Sequence, residues 1–246
     1  MLKIAFHPIY KHELPEGHRF PMDKYDLLPQ QLIYEGTCTE ENFFEPEIPN
    51  NKHFFTVHDP EYFFNLLNIT LSQKEARKIG FPLSEVLVAR EMIIADGTIK
   101  ASKFALKNGI AMNIAGGTHH AFSSHGEAFC MLNDQAIGAR YLQQKELAKK
   151  ILIIDLDVHQ GNGTAEIFKK DASVFTFSMH GKSNYPFIKE TSDLDIALKN
   201  ETKDNEYLSV LKKTLPKLIS QEKPDFIYYL CGVDVLETDK LGKLSL

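Results

Sequence analysis

The chain lacks several features that mark particular classes of protein. It has only three cysteines, Cys38, Cys130 and Cys231, which are too few and too scattered for a disulfide framework and indicate reduced thiols. No apolar run is long enough to span a bilayer. The first six residues predict a short strand and hold no signal-peptide apolar core. These absences predict a cytoplasmic protein without a membrane partner.

An excess of positive charge and internal repeats are also missing. The formal net charge is −5, which argues against direct nucleic-acid binding and suits a basic, lysine-bearing substrate. A hydrophobic content of 43% in 246 residues is enough for one large core. Because no linker interrupts the chain, we predict a single domain over residues 1–246.

Apolar periodicity and turn residues predict strands that alternate with helices. The predicted helices cover residues 60–67, 72–78, 83–95, 134–149 and 205–220. Ser72 and Ser84 are expected to be N-caps, because a serine oxygen can accept from free N–H groups at a helix start. Residues 11–53 contain five prolines and are expected to form rim loops. The alternation predicts a parallel sheet with helices on both faces.

The most informative segment follows the apolar run 151–154, which predicts a buried strand. Asp155, Asp157 and His159 alternate with apolar residues, so an extended chain places all three on one face. Open α/β sheets bind ligands at this carboxyl end of their strands. Asp-x-His offers a metal one oxygen and one nitrogen donor. Taken alone, the segment could equally be a solvated loop.

Two more predicted strands end in ionisable residues. His119 and His120 follow the apolar stretch 109–114, and Asp234 follows the apolar run 226–230, which also predicts a buried strand. Taken singly, a histidine pair could lie on the surface and an aspartate could start a loop or cap a helix. Three strand ends with such residues predict a shared site.

These segments carry a family resemblance that runs over essentially all 246 residues. The motifs are Gly116–His120, Phe129–Asp134, Asp155–Gly163 and Gly232–Asp234 followed by Asp239–Gly242, with His7-Pro8, Pro15–Phe20 and Val57–Tyr62 nearer the N-terminus. In order and spacing they resemble the zinc-dependent histone deacetylase family. The short step from an expected turn at 178–180 to Tyr185 is most similar to class IV deacetylases and their bacterial relatives. The resemblance implies the arginase–deacetylase fold, a three-layer α/β/α sandwich with a mainly parallel sheet.

The resemblance also implies the metal ligands. Asp157, His159 and Asp234 match the ligand positions, and three protein ligands leave coordination positions open for water and a carbonyl. Zinc is the expected metal, and ferrous iron is the alternative that the same donors suit. Family members also bind a monovalent ion, K⁺ or Na⁺. The matching oxygen donors are Asp155, Asp157, His159, Ser178 and Met179, and a second, peripheral cation site would match Phe168, Asp171 and Val174.

The catalytic roles implied by the resemblance fall on four residues. His120 would be the general base that takes a proton from water and later protonates the leaving amine. His119 would be its partner, held in one tautomer and kept charged by Asp155. Asn162 matches the position that orients the second histidine, where many family members have an aspartate. Which histidine does the acid work and which the base work stays open.

Three further residues are implied to bind substrate. Phe129 and Tyr185 would be the walls of a narrow tunnel for the acyl-lysine side chain, although each could also be an ordinary core aromatic. Ala128 stands where the family usually has glycine. Its carbonyl would still accept from the substrate amide, and its methyl group would narrow the tunnel or shift the acyl preference.

The departure at the end of the chain concerns catalysis. The family's Gly-Gly-Tyr segment, whose tyrosine stabilises the oxyanion, has no match, so the family's C-terminal part is expected to be missing. A strand and a covering helix would then be missing too, leaving an exposed edge that an oligomer or another partner would cover. The predicted function is hydrolysis of acyl-lysine in peptides or of a related small acylated amine. Alternatives are an acetylpolyamine-type amidohydrolase and a catalytically impaired metal-binding relative.

Overall fold

The computed structural model describes all 246 residues, which form two compact units, residues 1–141 and residues 142–246. Both units are built from parallel strands and helices. None of the helices combines the length and the apolar character that crossing a bilayer requires. The predicted α/β class with parallel strands is therefore confirmed.

The first unit contains a three-stranded sheet of short parallel strands. The strand order is β2-β1-β3, and both pairings are parallel. The strands are β1 (Lys3–Ala5), β2 (Phe43–Phe44) and β3 (Ala111–Asn113), and the helices are α1 (Lys24–Tyr34), α2 (Pro60–Leu67), α3 (Gln73–Ile79) and α4 (Glu85–Asn108). Helix α5 (Asp134–Gln144) continues from this unit into the next.

The second unit contains a four-stranded parallel sheet in the order β6-β5-β4-β7. Its strands are β4 (Ile151–Asp155), β5 (Val174–Gly181), β6 (Leu194–Leu198) and β7 (Phe226–Leu230), and its helices are α6 (Asn162–Phe168) and α7 (Asp204–Glu222). All five residues of β4 are buried. Leu152 and Ile154 of β4 pack with Phe177 and Met179 of β5 in the core. Strand β4 lies between β5 and β7, so its polar carboxyl end lies next to the carboxyl ends of both strands.

The two predicted serine N-caps are confirmed. The Ser72 hydroxyl accepts a hydrogen bond from the Glu75 N–H at 3.3 Å, and the Glu75 carboxylate accepts from the Ser72 N–H in return. Ser84 accepts from the Leu87 N–H at 3.1 Å. Each serine satisfies an N–H that the helix itself leaves without a partner.

Helix boundaries differ from the predictions at three places. Helix α1 lies inside the region expected to be loops, and it continues through Pro29, whose ring is buried. Helix α4 runs past residue 95 to residue 108 because Gly97 allows close packing; a Cβ there would lie 2.5 Å from the Tyr10 hydroxyl oxygen. Helix α5 ends at residue 144 instead of 149 because Glu146 has a positive φ of 55°.

Two predictions about strands were wrong. Residues 178–180, expected to be a turn, lie in β5 and pair with β6. Strand β7 was expected to be buried, but Ile227 and Tyr229 are exposed while Tyr228 and Leu230 are buried. Strand β7 pairs only with β4 and is an edge of its sheet, so its alternate side chains face solvent.

Candidate metal centre

The three predicted metal ligands lie together in the second unit. Asp157, His159 and Asp234 each offer a ligand atom, and these atoms lie within 4.8 Å of one another. The His159 Nδ1 is 2.9 Å from an Asp157 oxygen and 3.0 Å from an Asp234 oxygen. Strands β4 and β7 are adjacent and parallel, so the segments that follow them leave the same edge of the sheet. The topology thus brings together ligands that are about 75 residues apart in sequence.

Backbone N–H groups orient the carboxylates of this cluster. The Val158 N–H donates to Asp234 at 3.0 Å, and the His159 N–H donates to Asp157 at 2.8 Å. The Asp157 N–H donates to the buried Asp155 carboxylate at 3.1 Å. Strand β4 ends at Asp155, and these bonds hold the bent segment 156–159 so that the Asp157 and His159 side chains converge, whereas the alternation of polar residues was interpreted as an extended chain.

Groups of opposite charge are in contact within the cluster. Burial lowers the pKa of His159, but hydrogen bonds and charge from Asp157 and Asp234 outweigh it and raise the pKa to about 10. Burial and the charge of Asp157 raise the pKa of Asp234, while the hydrogen bond from His159 acts in the opposite direction. Two carboxylates converging on one imidazole nitrogen therefore favour a positive charge at their centre.

The residues around the cluster fit a divalent metal ion. A Cβ at Gly232 would lie 2.6 Å from an Asp157 oxygen and 2.7 Å from an Asp234 oxygen, so only glycine lets the two carboxylates approach this closely. Two carboxylates and one imidazole are donors that suit zinc or ferrous iron. The three residues leave coordination positions open, which is typical of a catalytic site.

The predicted histidine pair lies in the first unit. His119 and His120 are both buried, and their ring centroids are 4.0 Å apart. The preceding loop is held by the buried carboxylate of Asp134, which accepts from the N–H groups of Gly117 and Thr118 at 2.9 and 2.8 Å. The same carboxylate accepts from the hydroxyl groups of Thr118 and Thr98. This network fixes the backbone that carries the histidines.

His58 fixes the other end of the histidine loop. Its Nδ1 donates to the Phe122 carbonyl at 2.9 Å, because its Nε2 accepts from the Asn133 N–H at 3.0 Å. Burial lowers the pKa of His58 to about 4, so the ring is neutral at pH 7. His58 thereby joins the loop after His120 to the start of helix α5.

Phe129 and Ala128 have left-handed backbone conformations. Their φ angles are 69° and 43°, and their N–H groups donate to the Ile79 and Lys78 carbonyls at 2.6 and 2.9 Å. A left-handed conformation favours glycine, which gives a backbone reason why Ala128 is a departure from the family pattern. The Phe129 ring packs against Phe20, Phe81 and His18, and Arg19 lies over it at 5.0 Å.

The remaining predicted site residues lie in the second unit. Asn162 is buried at the start of α6, and Ser178 and Met179 are buried in β5. Tyr185 precedes a cis proline in the loop after β5. At the predicted peripheral cation site, Phe168 and Val174 are buried, and the Asp171 carboxylate accepts from the Ser173 N–H and hydroxyl. Both cation sites stay predictions.

Three residues that support the two clusters have no role in the sequence-based predictions. Asp134 and His58 position the histidine loop, and Gly232 makes room between the carboxylates. Asp134 and His58 stand inside segments that carry the family resemblance, which was the available signal. Their roles depend on hydrogen bonds over 16 to 75 residues of sequence, and no local pattern shows such partners.

Comparison with known proteins shows what the chain is similar to. Residues 18–246 match the Histone deacetylase domain. The chain is 46% identical over 243 residues to an uncharacterized protein of Picosynechococcus, a match that covers 99% of this chain and 81% of that protein. It is 28% identical over 239 residues to Histone deacetylase 2 of Arabidopsis thaliana, covering 93% of this chain. The chain spans 62% of the length of that plant relative.

A solved structure supports the fold. The crystal structure of an HDAC homologue from Aquifex aeolicus superposes on the whole chain with a TM-score of 0.88 at 25% identity, and the match covers 72% of that protein. The likeness, together with the parallel strands and their helices, confirms the predicted arginase–deacetylase type of α/β fold.

Proposed function

Because the chain belongs to the Histone deacetylase domain family, we propose that it is a metal-dependent hydrolase of the amide bond of acyl-lysine. Family membership and the named relatives support deacetylase-type hydrolysis. The observation that carries the finer proposal is the convergence of Asp157, His159 and Asp234 within 4.8 Å. Their donor atoms support zinc as the metal, with ferrous iron as the alternative.

The three ligands would bind the metal where the Nδ1 proton of His159 otherwise lies. A zinc ion at such a site lowers the pKa of its bound water and polarises a carbonyl. His159 would release its Nδ1 proton on binding, since an imidazole ligand must be neutral. Asp157 and Asp234 keep the backbone N–H bonds that aim them at the centre. For K⁺ or Na⁺, the proposed oxygens are those of Asp155, Asp157, His159, Ser178 and Met179.

The proposed proton transfers belong to the two histidines. His120 would take a proton from water and return one to the leaving amine, with His119 as its partner. We assign Asp155 and Asn162 as the groups that orient them, as the family resemblance implies. The burial of both rings and the loop fixed by Asp134 support this role, because a general base works best when its position is held in advance.

The proposed substrate side chain is an acylated lysine. Phe129 and Tyr185 would contact its aliphatic part, and the Ala128 carbonyl would accept from its amide N–H. The fixed left-handed backbone at residues 128 and 129 supports this, because its two N–H groups already donate to the last two carbonyls of helix α3. The substrate could be a peptide or a small acylated amine.

A second candidate function is a metal-binding protein with little hydrolytic activity, because Asp157, His159 and Asp234 are by themselves enough to hold a metal ion. An acetylpolyamine-type amidohydrolase, with the same ligands, is the third candidate.

The test is hydrolysis of acetyl-lysine and long-chain acyl-lysine peptides by the zinc-loaded chain, with metal content measured in parallel. We expect one zinc per chain and turnover that His120→Ala removes while zinc stays bound. Faster turnover of acetylated diamines than of peptides would favour the polyamine-type enzyme. One bound zinc with no turnover of any substrate would contradict the proposed hydrolysis and leave the metal-binding function.

A further inference from the structure

The loop between β5 and β6 presents two large apolar side chains to solvent. Phe187 is 87% exposed and Ile188 is 89% exposed, more than any other large apolar side chain of the protein. Single exposed apolar residues are common on protein surfaces, whereas contiguous exposed apolar side chains offer area that a ligand can cover. The two residues directly follow Tyr185 and its cis proline.

Polar contacts, not burial, fix the backbone of this loop. The Lys189 ammonium donates to the carbonyls of Asn184 and Pro186, both at 2.6 Å. At the end of the loop, the Gln160 amide donates to the Glu190 carbonyl at 2.7 Å and accepts from the Glu190 N–H at 2.9 Å. The loop is therefore ordered without covering its apolar side chains, which are held outward on a fixed support.

The apolar pair is continuous with residues of the proposed site. The Phe187 ring packs edge-to-face on the Tyr185 ring, with centroids 6.4 Å apart. Gln160, which holds the end of the loop, directly follows the proposed ligand His159. A ligand that contacts Tyr185 with its acylated lysine would therefore bring its neighbouring groups towards Phe187.

We propose that Phe187 and Ile188 form a recognition surface for an apolar side chain next to the acylated lysine of a peptide substrate. The inference rests on the proposed function, because Tyr185 is placed at the acyl-lysine by that proposal. The occupant is a flanking side chain because the Phe187 ring contacts the Tyr185 ring, and Tyr185 is the proposed contact of the acylated lysine itself. Covering part of the surface of these two exposed apolar side chains would strengthen binding about tenfold.

The experiment compares matched acetyl-lysine peptides that have leucine or serine on both sides of the modified lysine. Binding to the zinc-loaded chain is followed by fluorescence anisotropy, and kcat and KM are measured where turnover occurs. For the unaltered protein we expect about tenfold tighter binding and a lower KM with leucine flanks. The double variant Phe187→Ser, Ile188→Ser should lose this preference and keep its kcat on the serine-flanked peptide.

A matched control is Ile110→Ser, which changes an apolar residue that is 56% exposed at the amino end of β3. It should keep the preference for leucine flanks. Equal preference in the double variant and the unaltered protein would overturn the inference. So would a loss of self-association or of binding to phosphatidylcholine vesicles in the double variant without a change in peptide binding. Anisotropy measures binding and needs no turnover. Tighter binding of the leucine-flanked peptide without hydrolysis would therefore contradict the proposed activity but support the recognition surface.

Discussion

The protein holds two clusters of ionisable groups in place by different interactions. Around the histidine pair, the Asp134 carboxylate is surrounded by donors, namely two N–H groups and the hydroxyl groups of Thr118 and Thr98. In the cluster of Asp157, His159 and Asp234, two carboxylates converge on His159, whose positive charge offsets part of theirs. The first arrangement is satisfied by neutral dipoles and the second by an opposite charge.

This difference distinguishes a carboxylate that holds a loop in position from carboxylates that bind a cation. A buried carboxylate that accepts several hydrogen bonds fixes a loop and needs no cation. Carboxylates that share one imidazole instead hold a site where a cation replaces a proton, and binding releases that proton. Variants in the ligand cluster should therefore act through metal affinity, whereas variants around Asp134 should act through stability and rate.

The largest effect is expected from Asp157→Ala. It removes one of three ligands, so zinc affinity should fall by far more than the roughly 100-fold that loss of a supporting group costs, and turnover should vanish. Titration calorimetry with zinc measures the affinity. Asp204→Ala, at the exposed start of α7, is the matched control and should bind zinc normally. Unchanged zinc affinity in Asp157→Ala would mean that the cluster is not the metal site.

Gly232→Ala tests whether space between the carboxylates matters. The added Cβ would lie 2.6 Å from an Asp157 oxygen and 2.9 Å from the Asp157 Cα, so the carboxylates must move apart. We expect zinc affinity to fall about 10- to 100-fold, measured by competition with a chromophoric chelator. Cys231→Ala changes the exposed neighbour and should have no effect. Equal affinities in the two variants would show that the close approach is not required.

Only part of the ligand cluster could be predicted from a local signal in the sequence. Asp155, Asp157 and His159 alternate directly after a buried strand, and adjacent parallel strands bring Asp234 to the same edge. The existence of helices α2 and α3 and the caps of α3 and α4 followed from equally local patterns. Family resemblance supplied the roles that spacing could not assign.

The sequence was less informative where tertiary packing decides. The prediction ended the helix at residue 95, but α4 continues through Gly97, where a Cβ would lie 2.5 Å from the Tyr10 hydroxyl oxygen. Pro29 looked like loop, but its burial keeps it within α1. Residues 178–180 were expected to form a turn, yet they are buried and pair with β6 as part of β5. In each case a contact distant in sequence outweighs the local preference.

Asp134→Asn tests the other side of the comparison. The amide keeps the shape of the carboxylate but weakens its hydrogen bonds and points an NH₂ group at former donors. We expect the free energy of unfolding to fall by about 3 kcal/mol and kcat to fall, with zinc stoichiometry unchanged. Urea unfolding, kcat and metal content are the measurements. Thr98→Val removes one hydrogen-bond donor to Asp134 and should lower the free energy of unfolding and kcat by less. Loss of zinc in Asp134→Asn would contradict the separation of the histidine loop from metal binding.

The smallest effect concerns the pH dependence of stability. Burial lowers the pKa of His58 from its ordinary value of about 6.5 in the unfolded chain to about 4 in the folded protein. The stability that its neutral form contributes is therefore present above pH 6.5 and is lost as the pH falls towards 4. Between pH 7 and pH 5 the loss is about 2 kcal/mol. His58→Gln cannot titrate, so its stability deficit against the unaltered protein should shrink by that amount over this range in urea unfolding. A deficit that stays constant would show that His58 is not held neutral between Phe122 and Asn133.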